Sequence, residues 1–154
     1  MTNQEKWDRR FLALAKEVST WSKDPSTKCG AILVKNRRIV GTGYNGFPAG
    51  VIDDPDKYRD RDLKYKMVVH AEVNACINAG KDAVASTLYV YPSFMIPPIC
   101  NECAKVAIQA GVSTIVGFEP DKEHAARAKR WEDSILISRQ MFAEAGITWR
   151  SYDE

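Results

Sequence analysis

The chain has little that would tie it to a membrane or a polymer. Its 154 residues contain no apolar run approaching the length of a membrane span. Its 22 basic side chains are nearly matched by 20 acidic ones, and the resulting net charge of +2 is spread along the chain. That pattern weighs against a surface built to track a nucleic-acid backbone, so nucleic acid is an unlikely partner. The first residues, Met1-Thr2-Asn3-Gln4-Glu5-Lys6, offer no apolar signal core, and a cytoplasmic location is expected. Four cysteines are too few for a disulfide scaffold; in a reducing compartment a closely spaced pair reads better as metal ligands. Histidine is scarcer still, at two. No repeat, low-complexity run or linker divides the chain, so residues 1–154 are expected to form a single domain.

What is present is a hydrophobic pattern that changes period along the chain. Apolar Trp7, Phe11, Leu14, Ala15, Val18 and Trp21 recur at helical spacing over residues 4–21, and Ser22-Lys23-Asp24-Pro25-Ser26 ends that helix. Residues 31–34 and 38–44 read as strands joined at Lys35-Asn36-Arg37, a hairpin-length polar turn. Residues 45–58 carry glycines, prolines and aspartates and read as a long loop, a length that tends to be functional. Residues 57–66 mix charges with tyrosines and read as an exposed amphipathic helix or loop. A helix over 71–80, a strand over 87–91, a proline-rich loop over 92–99 and a helix over 100–110 follow. After these come a strand over 113–117, one long helix over 123–145 and a short strand over 147–149. The order predicts an α/β fold of three layers, α-β-α. Its mixed five-stranded sheet opens with an antiparallel hairpin, continues in parallel strands and carries helices on both faces.

The chemistry concentrates in two short segments, His70-Ala71-Glu72 and Cys100-Asn101-Glu102-Cys103. One imidazole and two thiolates supply three ligands to a tetrahedral Zn2+ and leave the fourth position open, which is the mark of a site that does chemistry rather than one that only holds structure. Zinc held by His70, Cys100 and Cys103 would lower the pKa of a bound water toward neutrality, and Glu72, two residues from the histidine, is placed to shuttle its proton. Each segment falls at a predicted helix start, where backbone N–H groups and the helix dipole help keep cysteines as thiolates. Cys29 and Cys76 lie among apolar residues and read as small buried hydrophobes. His124 reads as a surface residue, and Trp131, Met141 and Phe142 as core or subunit contacts.

His-x-Glu with a downstream Cys-x-x-Cys resembles the zinc-dependent nucleoside, nucleotide and nucleobase deaminases. Four segments resemble the deoxycytidylate (dCMP) deaminase branch: residues 22–28, Gly43-Tyr44-Asn45-Gly46, Val69-His70-Ala71-Glu72-Val73-Asn74-Ala75 and Cys100-Asn101-Glu102-Cys103-Ala104-Lys105. The likeness runs from about Trp7 to Trp149. It implies a cytidine-deaminase-like fold, deamination of dCMP to dUMP with release of ammonia, and Glu72 as the catalytic acid and base. It also implies that Asn45 hydrogen-bonds the sugar and that the Ala71 backbone N–H meets the pyrimidine carbonyl. In that family a proline directly precedes the first cysteine; here Ile99 intervenes after Pro97-Pro98, at the roof of the base pocket.

A nucleotide substrate needs partners for its 5′-phosphate, and Ser22, Lys23 and Lys28 are candidates by their position after the first helix. The resemblance further implies a nucleotide effector site, for activation by dCTP and inhibition by dTTP, involving Gly43, Tyr44, Gly46, Tyr65 and Lys66. A homo-oligomer, dimer or hexamer, is expected on the same ground. The rival readings are a deaminase of cytidine, a free base or tRNA adenosine, and a non-catalytic zinc-stabilised nucleotide-binding module.

Overall fold

A computed structural model describes residues 1–154. Helix α1 (Asn3–Ser19) starts where the Thr2 hydroxyl accepts the N–H of Glu5 at 3.0 Å. It buries Phe11, Leu12, Ala15 and Val18 on one face of the sheet. The helix ends at Ser19, short of the expected residue 21. Leu12 takes the inward position, while Leu14 and Trp21 are exposed. Strands β1 (Gly30–Lys35) and β2 (Arg38–Tyr44) form the expected antiparallel hairpin.

Strands β3 (Thr87–Tyr91), β4 (Thr114–Phe118) and β5 (Thr148–Tyr152) complete a sheet ordered β2-β1-β3-β4-β5. β1 joins β3 antiparallel, and only β3-β4-β5 run parallel. Alternation along β1 divides the core: Ile32 and Val34 face α1, whereas Ala31 and Leu33 face the other helical layer. That second layer is α4 (Ala71–Ala79), α5 (Asn101–Ala110) and α7 (Glu132–Ala145), which bring Ala75, Cys103, Ala107 and Phe142 onto the sheet. The three-layer fold expected from the pattern is the one formed.

Two expectations are corrected. Residues 57–66 are not simply exposed. They form α2 (Pro55–Arg59) and α3 (Arg61–Met67), capped by Asp54 and Asp60, with Tyr58 and Lys64 buried. The single helix expected over 123–145 is broken into α6 (Lys122–Ala126), a 3-10 turn (Ala128–Trp131) and α7. Neither α6 nor the 3-10 turn buries a residue fully, so nothing there demands one straight apolar stripe. No helix is long and apolar enough to cross a membrane.

Candidate active site

The two halves of the motif are built alike. His70 is the residue before α4 and Cys100 the residue before α5; both are extended, at φ −71°, ψ 153° and φ −72°, ψ 163°. A residue in that position usually turns its side chain back to accept a helix N–H. Neither does so here. Both side chains point instead toward each other across the helix starts. Packing sets the approach: a Cβ on Gly43 of β2 would overlap the carbonyl of Ala71 and the N–H of Ala75. The glycine therefore lets the first turn of α4 lie directly on the strand.

The ligand atoms of His70, Glu72, Cys100 and Cys103 all lie within 4.8 Å of one another. His70 Nδ1 is 3.2 Å from Cys103 Sγ and 3.5 Å from Cys100 Sγ. In a tetrahedral zinc site with ordinary Zn–N and Zn–S bonds, the nitrogen–sulfur edge is about 3.5 Å. The residues present fit a zinc ion, by donor type and by spacing. The protonation pattern agrees. Hydrogen bonding to Cys103, helped by the His70 ring, pulls the Cys100 thiol down to about 4, against the opposing effect of burial. Hydrogen bonding to Cys100 pushes His70 up to about 9, and Cys103 is pushed upward by its bond to Cys100. A divalent cation would replace the protons that His70 and Cys103 retain. Glu72 is 7% exposed, and burial raises its carboxyl while the neighbouring His70 works the other way.

His70, Glu72 and Cys100 line a cavity together with Val90, Pro98, Ile99 and Ile135 and the aromatic rings of Phe94 and Trp131. Trp131 stands edge-on to His70, the ring centroids 6.5 Å apart. Ala71, at the first position of α4, borders the cavity where its N–H has no partner within the helix. Asn45 borders it too, but its amide is already engaged: Oδ1 accepts the Cys29 N–H at 2.8 Å, and Nδ2 donates to the Thr27 carbonyl at 2.9 Å. Ser22 lies behind it, its hydroxyl donating to the Asn45 carbonyl. Lys23 is not brought to this cavity. Its side chain is 71% exposed and pairs with Asp53. Lys28 reaches back to the Ser22 carbonyl.

The residues expected for an effector divide. Gly43, Tyr44 and Gly46 line a separate cleft with Lys23, Phe47, Tyr58 and Asn74. Tyr65 belongs to the cavity beside His70, and Lys66 is exposed on α3.

Several residues of the cavity carried no motif. Arg127 is half-buried, donates to the Thr27 hydroxyl at 2.5 Å and lies 5.5 Å from the Phe94 ring centre. Arg130 sits over Tyr65 and Trp131. Lys64 and Asp24 form a buried ion pair at 2.8 Å on the same rim. Cys29, expected only as a small buried hydrophobe, borders the cavity and is half-buried; burial holds its thiol far above the ordinary value. Trp131, read as core or subunit contact, is a wall of the site. His124 packs its ring against Phe94 and bonds to Asp121. The one available signal was the run Arg127-Ala128-Lys129-Arg130-Trp131, basic and aromatic together, which a continuous helix would have spread around its circumference.

Comparison with known proteins bears on the same residues. The model of the cytidine and deoxycytidylate deaminase zinc-binding region matches residues 5–119. The deoxycytidylate deaminase of Homo sapiens is 38% identical over 153 residues, covering 95% of this chain and 79% of the human one. A protein of Aliivibrio fischeri described as an uncharacterized deaminase in the luxG 3′ region is also 38% identical, over 96% of both chains. Among solved structures, the apo dCMP deaminase of the cyanophage S-TIM5 matches with a TM-score of 0.66 at 23% identity, covering 98% of this chain and 99% of that one. This last likeness speaks to the fold.

Proposed function

Since the chain belongs to the cytidine and deoxycytidylate deaminase family, we propose that it is a hydrolytic deaminase converting dCMP and water to dUMP and ammonia. The observation that carries this is the convergence of His70, Cys100, Cys103 and Glu72 within 4.8 Å beside a cavity whose rim holds Arg127 and Arg130. His70, Cys100 and Cys103 would hold the zinc, which when bound supplies Lewis-acid activation of water. Glu72 takes a proton from the attacking water and passes it to ring nitrogen N3, so that C4 becomes tetrahedral. It then takes the proton of the new C4 hydroxyl and delivers it to the C4 amino group, which leaves as ammonia as the C4 carbonyl forms. The Ala71 N–H meets the pyrimidine carbonyl, and Phe94, Trp131 and Ile99 enclose the ring. Burial around Glu72 excludes bulk water from this exchange.

The 5′-phosphate is met by Arg127 and Arg130, together with the hydroxyls of Ser26 and Thr27. Lys23 is engaged by Asp53 and lines the neighbouring cleft. Guanidinium pairs suit phosphate geometry. Asn45 acts on the sugar side mainly by fixing residues 24–29, with Ser22 supporting it from behind. The cleft at Tyr44 and Gly46 supports a regulatory site for dCTP or dTTP, since it contains Lys23 and shares Asn45 with the active cavity. Exposed Ile77, Leu136 and Ile137 supply apolar surface for a homo-oligomer, and a site built on thiolates suits a reducing cytoplasm.

Ammonia release from dCMP, deoxycytidine and cytidine tests the assignment. The native enzyme is expected to prefer dCMP strongly. Replacing Arg127 and Arg130 together by glutamine should raise KM for dCMP by about a hundredfold or more while leaving deoxycytidine turnover nearly unchanged, each lost charged hydrogen bond being worth roughly 1.5–3 kcal/mol. Equal rates on dCMP and deoxycytidine in the native enzyme would sink the nucleotide assignment.

A further inference from the structure

Helix α5 has an unusual start. The first N–H groups of a helix have no partner within it, and the residue preceding the helix normally supplies an acceptor. In α5 that residue is Cys100, whose sulfur is turned toward His70 Nδ1 and makes no cap. The acceptor comes from elsewhere in the chain. Ser134, in the first turn of α7, accepts the Asn101 N–H through its Oγ at 2.8 Å and donates the same hydroxyl's proton to Asn101 Oδ1 at 2.7 Å. Both bonds fall on the residue that directly follows Cys100, inside the Cys-x-x-Cys turn. Ser134 is itself steadied. Its neighbour Ile135 and, two turns on, Phe142 are anchored in the interior, and Ser138 donates to the Ser134 carbonyl at 3.2 Å.

We propose that Ser134 is a positioning residue for the zinc site: it caps α5 from outside the helix so that Cys100 is free to act as a ligand. The proposal rests on the reading of His70, Cys100 and Cys103 as the zinc ligands. Its physical content is preorganisation. With Ser134 in place, the peptide between the two cysteines is held by a donor and an acceptor before metal arrives. Without it, the Asn101 N–H loses its acceptor, its side chain is released, and the turn must be ordered at the moment of binding. Partners that orient metal ligands typically contribute 10–100-fold in affinity.

Zinc affinity, measured by competition with a chromophoric chelator, separates this role from a general contribution to folding. Ser134→Ala should bind zinc about 10–100-fold more weakly than the native chain, with its circular dichroism unchanged. Ser134→Thr keeps the hydroxyl and should restore most of the affinity. Gln140→Ala removes an exposed side chain from the same helix, one without a hydrogen bond to the cysteine turn or to Ser134, and should leave zinc affinity unchanged. Native-like affinity in Ser134→Ala, or an equal loss in Gln140→Ala, would overturn the proposal. A native chain that takes up no zinc would overturn the ligand assignment first, and this proposal with it.

Discussion

In the proposed reaction Glu72 is a buried carboxylate that changes protonation state. It lies in the first turn of α4, where the backbone N–H groups and helix dipole favour its anion, while burial favours the neutral acid. These opposed influences suit a group that both accepts and returns a proton. Glu72→Gln keeps the shape and removes the exchange, so kcat should fall by about 10²–10⁴-fold with zinc content unaltered; metal analysis beside steady-state ammonia release checks both halves. The cationic rim is a different case. Arg127 and Arg130 are brought to the cavity by a break between α6 and α7, and although remote in sequence from His70 they line the same cavity. Lys23 has the right charge in the right loop, but Asp53 holds it outside.

At the scale of elements, the site depends on how closely α4 approaches β2. The carbonyl of Ala75 lies 2.5 Å from where a Cβ on Gly41 would stand, and Gly43 is tighter still against Ala71. Gly43→Ala therefore has to push α4 outward at its first turn, the turn that carries His70 and Glu72. Overpacking of this kind costs about 1–3 kcal/mol. The variant should show lowered thermal stability and weakened zinc retention together, measurable by a melting curve and by metal content after dialysis. A variant that melts lower yet keeps its zinc would show that the helix start tolerates the shift. The resemblance had assigned Gly43 to an effector site. It lines that cleft with Tyr44 and Gly46, and its packing also sets how closely the first turn of α4 lies on β2.

At the scale of the whole molecule, the layers are tied together through Asp8 on α1. Its fully buried carboxylate accepts from Gln4 at 2.9 Å, Tyr89 on β3 at 2.7 Å, Tyr152 at 2.6 Å and Arg150 on β5 at 2.7 Å. Burial alone would raise its pKa; the hydrogen bonds from Arg150, Tyr152 and Tyr89 outweigh it and hold the group below the ordinary 3.8. A carboxyl with a depressed folded-state pKa stabilises the fold fully above its unfolded value and loses that contribution as pH falls through the folded one. Asp8→Asn should cost about 2 kcal/mol near neutrality. The gap between native and variant should narrow below about pH 3.8. Urea denaturation at pH 7, 5 and 2 follows it; a gap that widened toward pH 2 would contradict the linkage.

What the sequence determined by itself was everything that depends on short spacing. His70 and Glu72, and Cys100 and Cys103, lie within one turn of each other, so their joint role was readable wherever their helices settled. The hairpin, the strands and the glycine stops at Gly111 and Gly146 were readable for the same reason, being consequences of local period and backbone freedom. Only the tertiary structure decided which charges face the cavity, that Lys64 is buried against Asp24, and that Ser134 caps a helix 33 residues away. These meetings join residues remote in sequence, and no local pattern encodes them. They follow from how α3, α5 and the broken α6–α7 segment pack once the sheet has fixed their distances.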